Sequence, residues 1–182
     1  MRVIAGIARS LPLKTPEGAD TRPTTDRIKE TLFNMIQTKL PDCVFVDLFS
    51  GSGGIGIEAL SRGAKKAYFV DTSKNAIACI KHNVEFTKFT EQAIIINRDV
   101  RDSLIQISDK ADIIFMDPPY SLGIEFDIMQ LLKSSGCLKE NTLIIIEAEK
   151  NKDFSEICTL GYNIDKEKIY KTNKHVFFSL AD

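Results

Sequence analysis

Short aliphatic runs alternate with amphipathic stretches along most of this chain. From Asp26 to Lys39 the apolar residues Ile28, Leu32, Met35, Ile36 and Leu40 fall on one helical stripe, with Pro41 just beyond. After that, strand and helix patterns take turns. Val44 to Leu48 reads as a buried strand and Gly54 to Arg62 as a helix closed by Gly63. Ala67 to Asp71 is a second strand, and Ser73 to Glu85 a helix with Ser73 as its cap. Ala93 to Asn97, Asp112 to Met116 and Thr142 to Glu147 are three more strands. Between them lie a short helix at Asp102 to Ile107 and a longer one at Ile124 to Lys133. A weaker helix at Asp153 to Leu160 precedes a closing hairpin, Tyr162 to Tyr170 and His175 to Leu180, with its turn at Thr172-Asn173-Lys174. Continuous aliphatic strands separated by amphipathic helices imply a mostly parallel sheet covered on both faces, a doubly wound α/β domain. Arg2 to Ala8 and Leu11 to Lys14 suggest a small N-terminal hairpin or extended arm. The expected division is a basic arm over residues 1–25 and a core over 26–182 of a single domain. Ligands in such folds bind beyond the carboxyl ends of the strands, where strand order reverses.

Composition narrows the class. The 182 residues are 43% hydrophobic and 27% charged, ordinary for a globular chain able to bury a core without staples. No run approaches the roughly 20 apolar residues of a bilayer span, and the apolar stretch after Met1 is too short for a secretion signal. Cys43, Cys79, Cys137 and Cys158 form no CxxC pair, so neither zinc nor a disulfide framework is indicated, and a reducing cytoplasm suits them. Net charge is −1 but uneven. Residues 1–40 carry seven basic and four acidic groups, and Met1 to Thr15 has no acid at all. Arg2, Arg9, Lys14, Arg22 and Arg27 are therefore candidate phosphate contacts on an otherwise mildly acidic body.

Four places at strand ends carry the chemistry. The first is Asp47-Leu48-Phe49-Ser50-Gly51-Ser52-Gly53-Gly54-Ile55-Gly56, a GxGxxG turn between strand and helix. Alone it fits a dinucleotide, but Asp47 at the strand end would repel a pyrophosphate and attract a cation such as the amine and sulfonium of S-adenosylmethionine. The second is Asp71, followed by Thr72, where a carboxylate can accept from ribose hydroxyls. Asp99, with the Val100 N–H beside it, could meet an adenine edge. The fourth is Asp117-Pro118-Pro119-Tyr120. Two prolines fix an extended backbone without N–H donors, so the Pro118 carbonyl and the Asp117 carboxylate can hold both hydrogens of a flat amino group. Tyr120 offers a ring for stacking, a contact worth about 1–3 kcal/mol per base.

These motifs resemble those of class I amino-methyltransferases. The N-terminal half, Met1-Arg2-Val3-Ile4-Ala5-Gly6 and Thr21-Arg22-Pro23-Thr24-Thr25-Asp26-Arg27 leading into Glu30-Thr31-Leu32-Phe33-Asn34, resembles the RsmD family. The resemblance runs from Met1 to about Glu147. It implies a Rossmann-like class I methyltransferase fold with a seven-stranded sheet ending in an antiparallel hairpin. It also implies methylation of N2 of a guanine in 16S ribosomal RNA, at guanine 966, by a cytoplasmic enzyme, expected as a monomer, acting within the small ribosomal subunit or its precursor. By the same resemblance Asp47, Phe49, Ser50, Gly51, Ser52 and Gly53 line the methionine end of S-adenosylmethionine, which leaves as S-adenosylhomocysteine. Asp71 and Thr72 hold its ribose, Asp99 and Val100 its adenine, and Thr25 and Arg27 border the cofactor or the RNA. Asp117, Pro118, Pro119 and Tyr120 form the catalytic set, with no metal. Where relatives carry glutamate, this chain has the shorter Asp71.

Three other readings stay open on the residues alone. An NAD-linked oxidoreductase would use the same glycines but leaves Asp117 to Tyr120 without a task. A non-catalytic RNA-binding factor could keep the fold. The same chemistry could also act on adenine N6 or a protein glutamine. His82 and His175 lie far from the motifs and are expected as surface or strand residues rather than bases.

Overall fold

The computed structural model describes residues 1–16 and 25–181. Seven strands form one sheet: β1 (Val44–Leu48), β2 (Lys66–Asp71), β3 (Ala93–Asn97), β4 (Ile113–Met116), β5 (Leu143–Glu149), β6 (Tyr162–Ile169) and β7 (Asn173–Leu180). Their order is β3-β2-β1-β4-β5-β7-β6, with the first five parallel and β7 antiparallel to both β5 and β6. Strand order therefore reverses between β1 and β4, and the carboxyl ends of these two strands open the crevice where a ligand site is expected.

Alternation along the central strands sorts their side chains into two cores. Val46, Leu48, Tyr68, Val70, Ile114, Met116, Ile144 and Ile146 face α4 (Val100–Ser103), α5 (Glu125–Ser134) and α6 (Ser155–Cys158). Phe45, Phe69, Ile113, Phe115, Ile145 and Phe177 face α1 (Asp26–Ile36), α2 (Gly54–Ser61) and α3 (Lys74–Phe86). Both faces of the sheet are covered, which is why these strands lack the in-out polarity of a half-exposed sheet. Full burial of a Phe or Ile contributes about 1.5–3 kcal/mol each, so the layers are held mainly by these positions. At Gly56 a Cβ would come 2.4 Å from the Phe69 ring, so this glycine lets α2 lie close on β2.

Helix starts follow the sequence signals. Thr25 caps α1 by accepting from the Ile28 N–H, Ser73 caps α3 through the Ala76 N–H, and Asp99 caps α4 through the Arg101 N–H. The short fourth helix begins at Val100, two residues earlier than its apolar pattern suggests, because of that cap, and continues as a 3-10 turn over Leu104–Gln106. The final turn also shifts. It lies at 170–172, and Asn173 and Lys174 are buried in β7. Both polar side chains have partners there. Asn173 donates to Glu147 at 2.6 Å, and Lys174 reaches Glu167 at 2.6 Å while lying over the Phe154 ring.

The N-terminal segment, expected as a hairpin or arm, is joined by a single antiparallel bridge, Arg2 to Pro12. Val3, Ala8 and Leu13 are buried in the α1–α3 core. Glu58 on α2 is wholly buried and accepts from the Ile4 and Ala5 N–H groups at 2.7 and 3.0 Å and from Arg62 at 2.8 Å. Lys29 on α1, also buried, lies 3.4 Å from the same carboxylate and donates to the Arg2 carbonyl at 2.6 Å. Ser61 takes the Ala8 N–H. The segment is thus pinned to two helices by a buried polar cluster that the hydrophobic pattern does not announce.

β6 is an edge strand whose residues beyond Tyr162 are exposed, with a register shift between Ile164 and Lys166. No helix among the described residues is long and apolar enough to cross a membrane.

Candidate active site

The glycine turn leaves β1 under tension and is tied down from beneath. Phe49 has a φ of +62°, unusual for a side chain with a Cβ, while Gly51 and Gly53 take +55° and +76° without cost. Ser50 is buried and locks β1 to β2. Its hydroxyl donates to the Asp47 carbonyl at 2.6 Å and accepts from the Val70 N–H at 2.9 Å. A Cβ on Gly51 would meet nothing within 4 Å, so the turn presents open backbone at this point. Ser52 is buried, and its carbonyl accepts from Asn83 on α3.

Asp47 is 1% exposed, and its carboxylate accepts from the Gly56 N–H at 3.0 Å. It therefore holds the start of α2 to the end of β1 from beneath the turn. Burial pushes its carboxyl up to about 8, against the pull of the Gly56 N–H, and the charge of Asp71 adds to the rise. A carboxyl held protonated in the native state stabilises folding most below the ordinary carboxylate pKa of about 4, and that contribution is lost as pH climbs towards 8. Asp47→Asn is accordingly expected to flatten the fall in unfolding free energy between about pH 5 and 8. Urea titrations at several pH values check this, and parallel wild-type and variant curves would contradict it.

Asp71 ends β2, with its carboxylate taking the Gly51 N–H and the Ser73 N–H, each at 2.8 Å. It couples the glycine turn to the start of α3 and stays partly open to solvent. Thr72 beside it is exposed. Asn97, at the end of β3, donates to the Asp71 and Thr72 carbonyls at 3.0 and 3.1 Å and so sets the level of this rim. Asp99 is exposed and Val100 is buried beneath it. Asn83 and Asn97 hold this rim, yet neither stood out in the sequence, because a polar residue on a helix or at a strand end ordinarily reads as surface.

Asp117 follows β4 directly. It is half-buried, and among the described residues no group donates a hydrogen bond to its carboxylate. Burial raises its carboxyl well above the usual range, and the charges of Glu147 and Asp47 raise it further. Pro118 is buried, Pro119 is exposed, and Tyr120 opens a 3-10 turn with 42% of its surface exposed. The complement of the Asp117 carboxylate would be a hydrogen-bond donor or a cation, which the described residues do not supply. Asp47, Asp71, Asp117 and Glu147 gather four carboxyls at this end of the sheet; burial disfavours the ionised forms of Asp47 and Asp117, which a cationic ligand would restore and a pyrophosphate would not.

The other predicted positions are more dispersed. Arg2 pairs with Asp26 at 2.8 Å, while Arg9, Lys14 and Arg27 are exposed and Thr25 is spent on its cap. Arg22 lies outside the described residues. His82 is exposed and stacked on Phe86. His175 is fully buried in β7 against Glu147, a pairing the sequence did not signal. A cleft of about 790 Å³ lined by Lys39, Lys139, Thr142 and Leu180 lies at the opposite edge of the sheet, where β5 begins, away from these motifs.

Comparison with known proteins agrees with this layout. The profile of a family described as "Conserved hypothetical protein 95" matches residues 1–179. Ribosomal RNA small subunit methyltransferase D of Haemophilus influenzae is 40% identical over 92% of this chain and 88% of its own length. The protein of the same name from Escherichia coli K12 is 31% identical over 93% and 84%. Among solved structures, a putative methyltransferase yhhF from Escherichia coli superposes with a TM-score of 0.85 at 29% identity, over 100% of this chain and 98% of its own. A putative methylase, HI0767, from Haemophilus influenzae gives 0.81 at 32%, over 100% and 99%. The fold is that of the class I methyltransferases, and the chain belongs to the RsmD family.

Proposed function

We propose that this protein transfers a methyl group from S-adenosylmethionine to the exocyclic N2 of a guanine in 16S ribosomal RNA, guanine 966 by family resemblance. The observation that carries this reading is the half-buried Asp117 carboxylate beyond β4, which accepts from no group among the described residues and is followed by two prolines. It offers an acceptor to an amino group and a negative charge to a nitrogen that becomes positive. The printed names of the relatives supply the RNA class.

The residues present fit the cofactor. The acidic rim favours a sulfonium and an ammonium, and the open backbone at Gly51 lets a ligand approach closely. Phe49 to Gly53 would hold the methionine end, with Asp47 beneath. The solvent-facing side of the Asp71 carboxylate, beyond the lone pairs that take the Gly51 and Ser73 N–H groups, would with Thr72 take the ribose, and Asp99 with Val100 the adenine, while Thr25 would border the cofactor from α1. When bound, S-adenosylmethionine supplies an electrophilic methyl on a positively charged sulfur. The chain's own task is to position the amine. Asp117 and the Pro118 carbonyl accept its two hydrogens and draw the nitrogen lone pair out of conjugation. The Tyr120 ring stacks on the base. Asp117 then stabilises the charge that develops on nitrogen.

The target base must leave its stack to enter such a crevice. Arg9, Lys14 and Arg27, exposed on or near the N-terminal segment, would contact phosphates, with Arg2 and Arg22 beside them. A net charge of −1 is weak for naked RNA, so the favoured substrate is an assembled or partly assembled small subunit, met by a monomer in the cytoplasm. The test is transfer of a tritiated methyl group to small subunits lacking the modification, followed by nucleoside analysis. N2-methylguanosine is expected, and more of it from particles than from stripped RNA. N6-methyladenosine would overturn the base assignment, and calorimetric binding of NAD in place of S-adenosylmethionine would overturn the enzyme class.

A further inference from the structure

A second polar row lies beside Asp117. Met116 on β4 is level with Ile146 on β5, so Asp117, the next residue, stands next to Glu147. Glu147 in turn pairs directly with His175 on β7. The Glu147 carboxylate accepts from Asn173 at 2.6 Å and contacts His175 Nε2 at 3.0 Å. His175 Nδ1 lies 3.1 Å from the Tyr170 hydroxyl. Burial, aided by the charge of Glu147, pushes the Tyr170 phenol up to about 12. In the Nε2–H tautomer the imidazole donates to Glu147 and leaves Nδ1 to accept from the Tyr170 hydroxyl. Asn173 and His175 thus meet on one carboxylate from two sides. His175 is fully buried and the Phe115 ring packs against it edge-on, so the row has little freedom to rearrange.

Such a network is an expensive way to join two strands, because apolar residues of similar volume would serve at least as well. Its product is a fixed anion one strand from the amine-holding carboxylate. We propose that Glu147, held by Asn173 and by the Tyr170–His175 chain, is a positioning residue that makes Asp117 the proton acceptor of the methyl transfer. The inference rests on the function proposed above. As the nitrogen bonds to the methyl carbon, the electron pair of the S–C bond stays on sulfur and the nitrogen becomes cationic. One N–H bond then breaks, and its proton passes to Asp117 and from there to water. Among the described residues, the charged groups facing Asp117 are Glu147 from β5 and Asp47 from β1. Those facing Glu147 are His175 from β7 and Tyr170 from the turn before it.

Glu147→Gln removes the charge and keeps the shape. In ligand-free protein labelled with 13C at aspartate carboxyls, with Asp117→Asn identifying the signal, the variant should titrate Asp117 lower by about one pH unit. The acid limb of kcat/KM for RNA methylation should move down by the same amount, and Glu147→Asp should restore most of both. Tyr170→Phe, which leaves the charge in place, should lower kcat several-fold with KM unchanged. An Asp117 titration unmoved in folded Glu147→Gln overturns the inference alone. A shifted titration in a protein whose wild type methylates no RNA overturns the proposed function, and the role in proton transfer with it.

Discussion

Asp117→Ala is expected to lower methyl transfer by about 10²- to 10⁴-fold while leaving S-adenosylmethionine affinity within a few-fold, because the lost group acts on the amine and not on the cofactor. Asp117→Asn keeps an acceptor for the amine hydrogens but can neither balance a positive charge nor take a proton. Its rate should fall between the two, and its position on that scale separates hydrogen bonding from charge. The same substitutions should raise stability. Wild-type Asp117 is a half-buried carboxylate without a donor among the described residues, near two other acids, so its ionised form is unfavourable in the folded chain. Since its carboxyl is raised, the penalty is small below the ordinary carboxylate pKa and grows as pH rises. The gain in melting temperature of Asp117→Ala should therefore be larger at pH 8 than at pH 5. Calorimetry at both values, beside a single-turnover methylation assay, tests this pairing of lost activity with gained stability. A variant that methylates normally, or that melts lower at every pH, contradicts it.

Glu58→Ala should have the largest effect on stability. It strips the carboxylate from Arg62, removes the acceptor of two N-terminal N–H groups and leaves Lys29 buried with the Arg2 carbonyl as its hydrogen-bond acceptor among the described residues. Burial already lowers the Lys29 ammonium pKa against the support of Glu58. Removing one partner of a buried ion pair typically costs about 3–5 kcal/mol, which for a chain this long lowers the melting temperature by roughly 10 °C. The loss should be local first. Amides of Val3, Ile4, Ala5 and Ala8 should lose hydrogen-exchange protection before the central strands do. Lys29→Met in the Glu58→Ala background should recover part of the loss, because it removes the stranded charge. Unchanged protection at Ile4 and Ala5 would show that the segment is held by Val3 and Leu13 packing alone.

The sheet and its covering helices were legible because period-2 and period-3.6 apolar patterns record burial directly, and the β1–β5 strands are nearly all apolar. Asp47, Asp71, Asp99 and Asp117 were legible because each stands where such a pattern stops. Positions inside a pattern were harder to read. Glu147 ends an aliphatic strand, and His175, Asn173 and Lys174 begin another, so they resembled a strand end and a polar turn. The antiparallel pairing of β5 with β7, a contact 26 or more residues apart in sequence, supplies the partners that let Glu147, Asn173 and His175 be buried, while Lys174 finds Glu167 across the β6–β7 pair. Glu58 and Lys29 escaped notice for the same reason. A charged residue on an amphipathic helix reads as solvated until a distant segment brings backbone donors to it.

β6 has a consequence for behaviour in solution. Its outer rim carries Asp165, Lys166, Glu167 and Lys168 in succession, and the register shift at Ile164/Lys166 interrupts the flat run of unpaired amides and carbonyls. A second copy arriving in β-extension would face alternating charges and a broken ladder, so this border resists fibril growth.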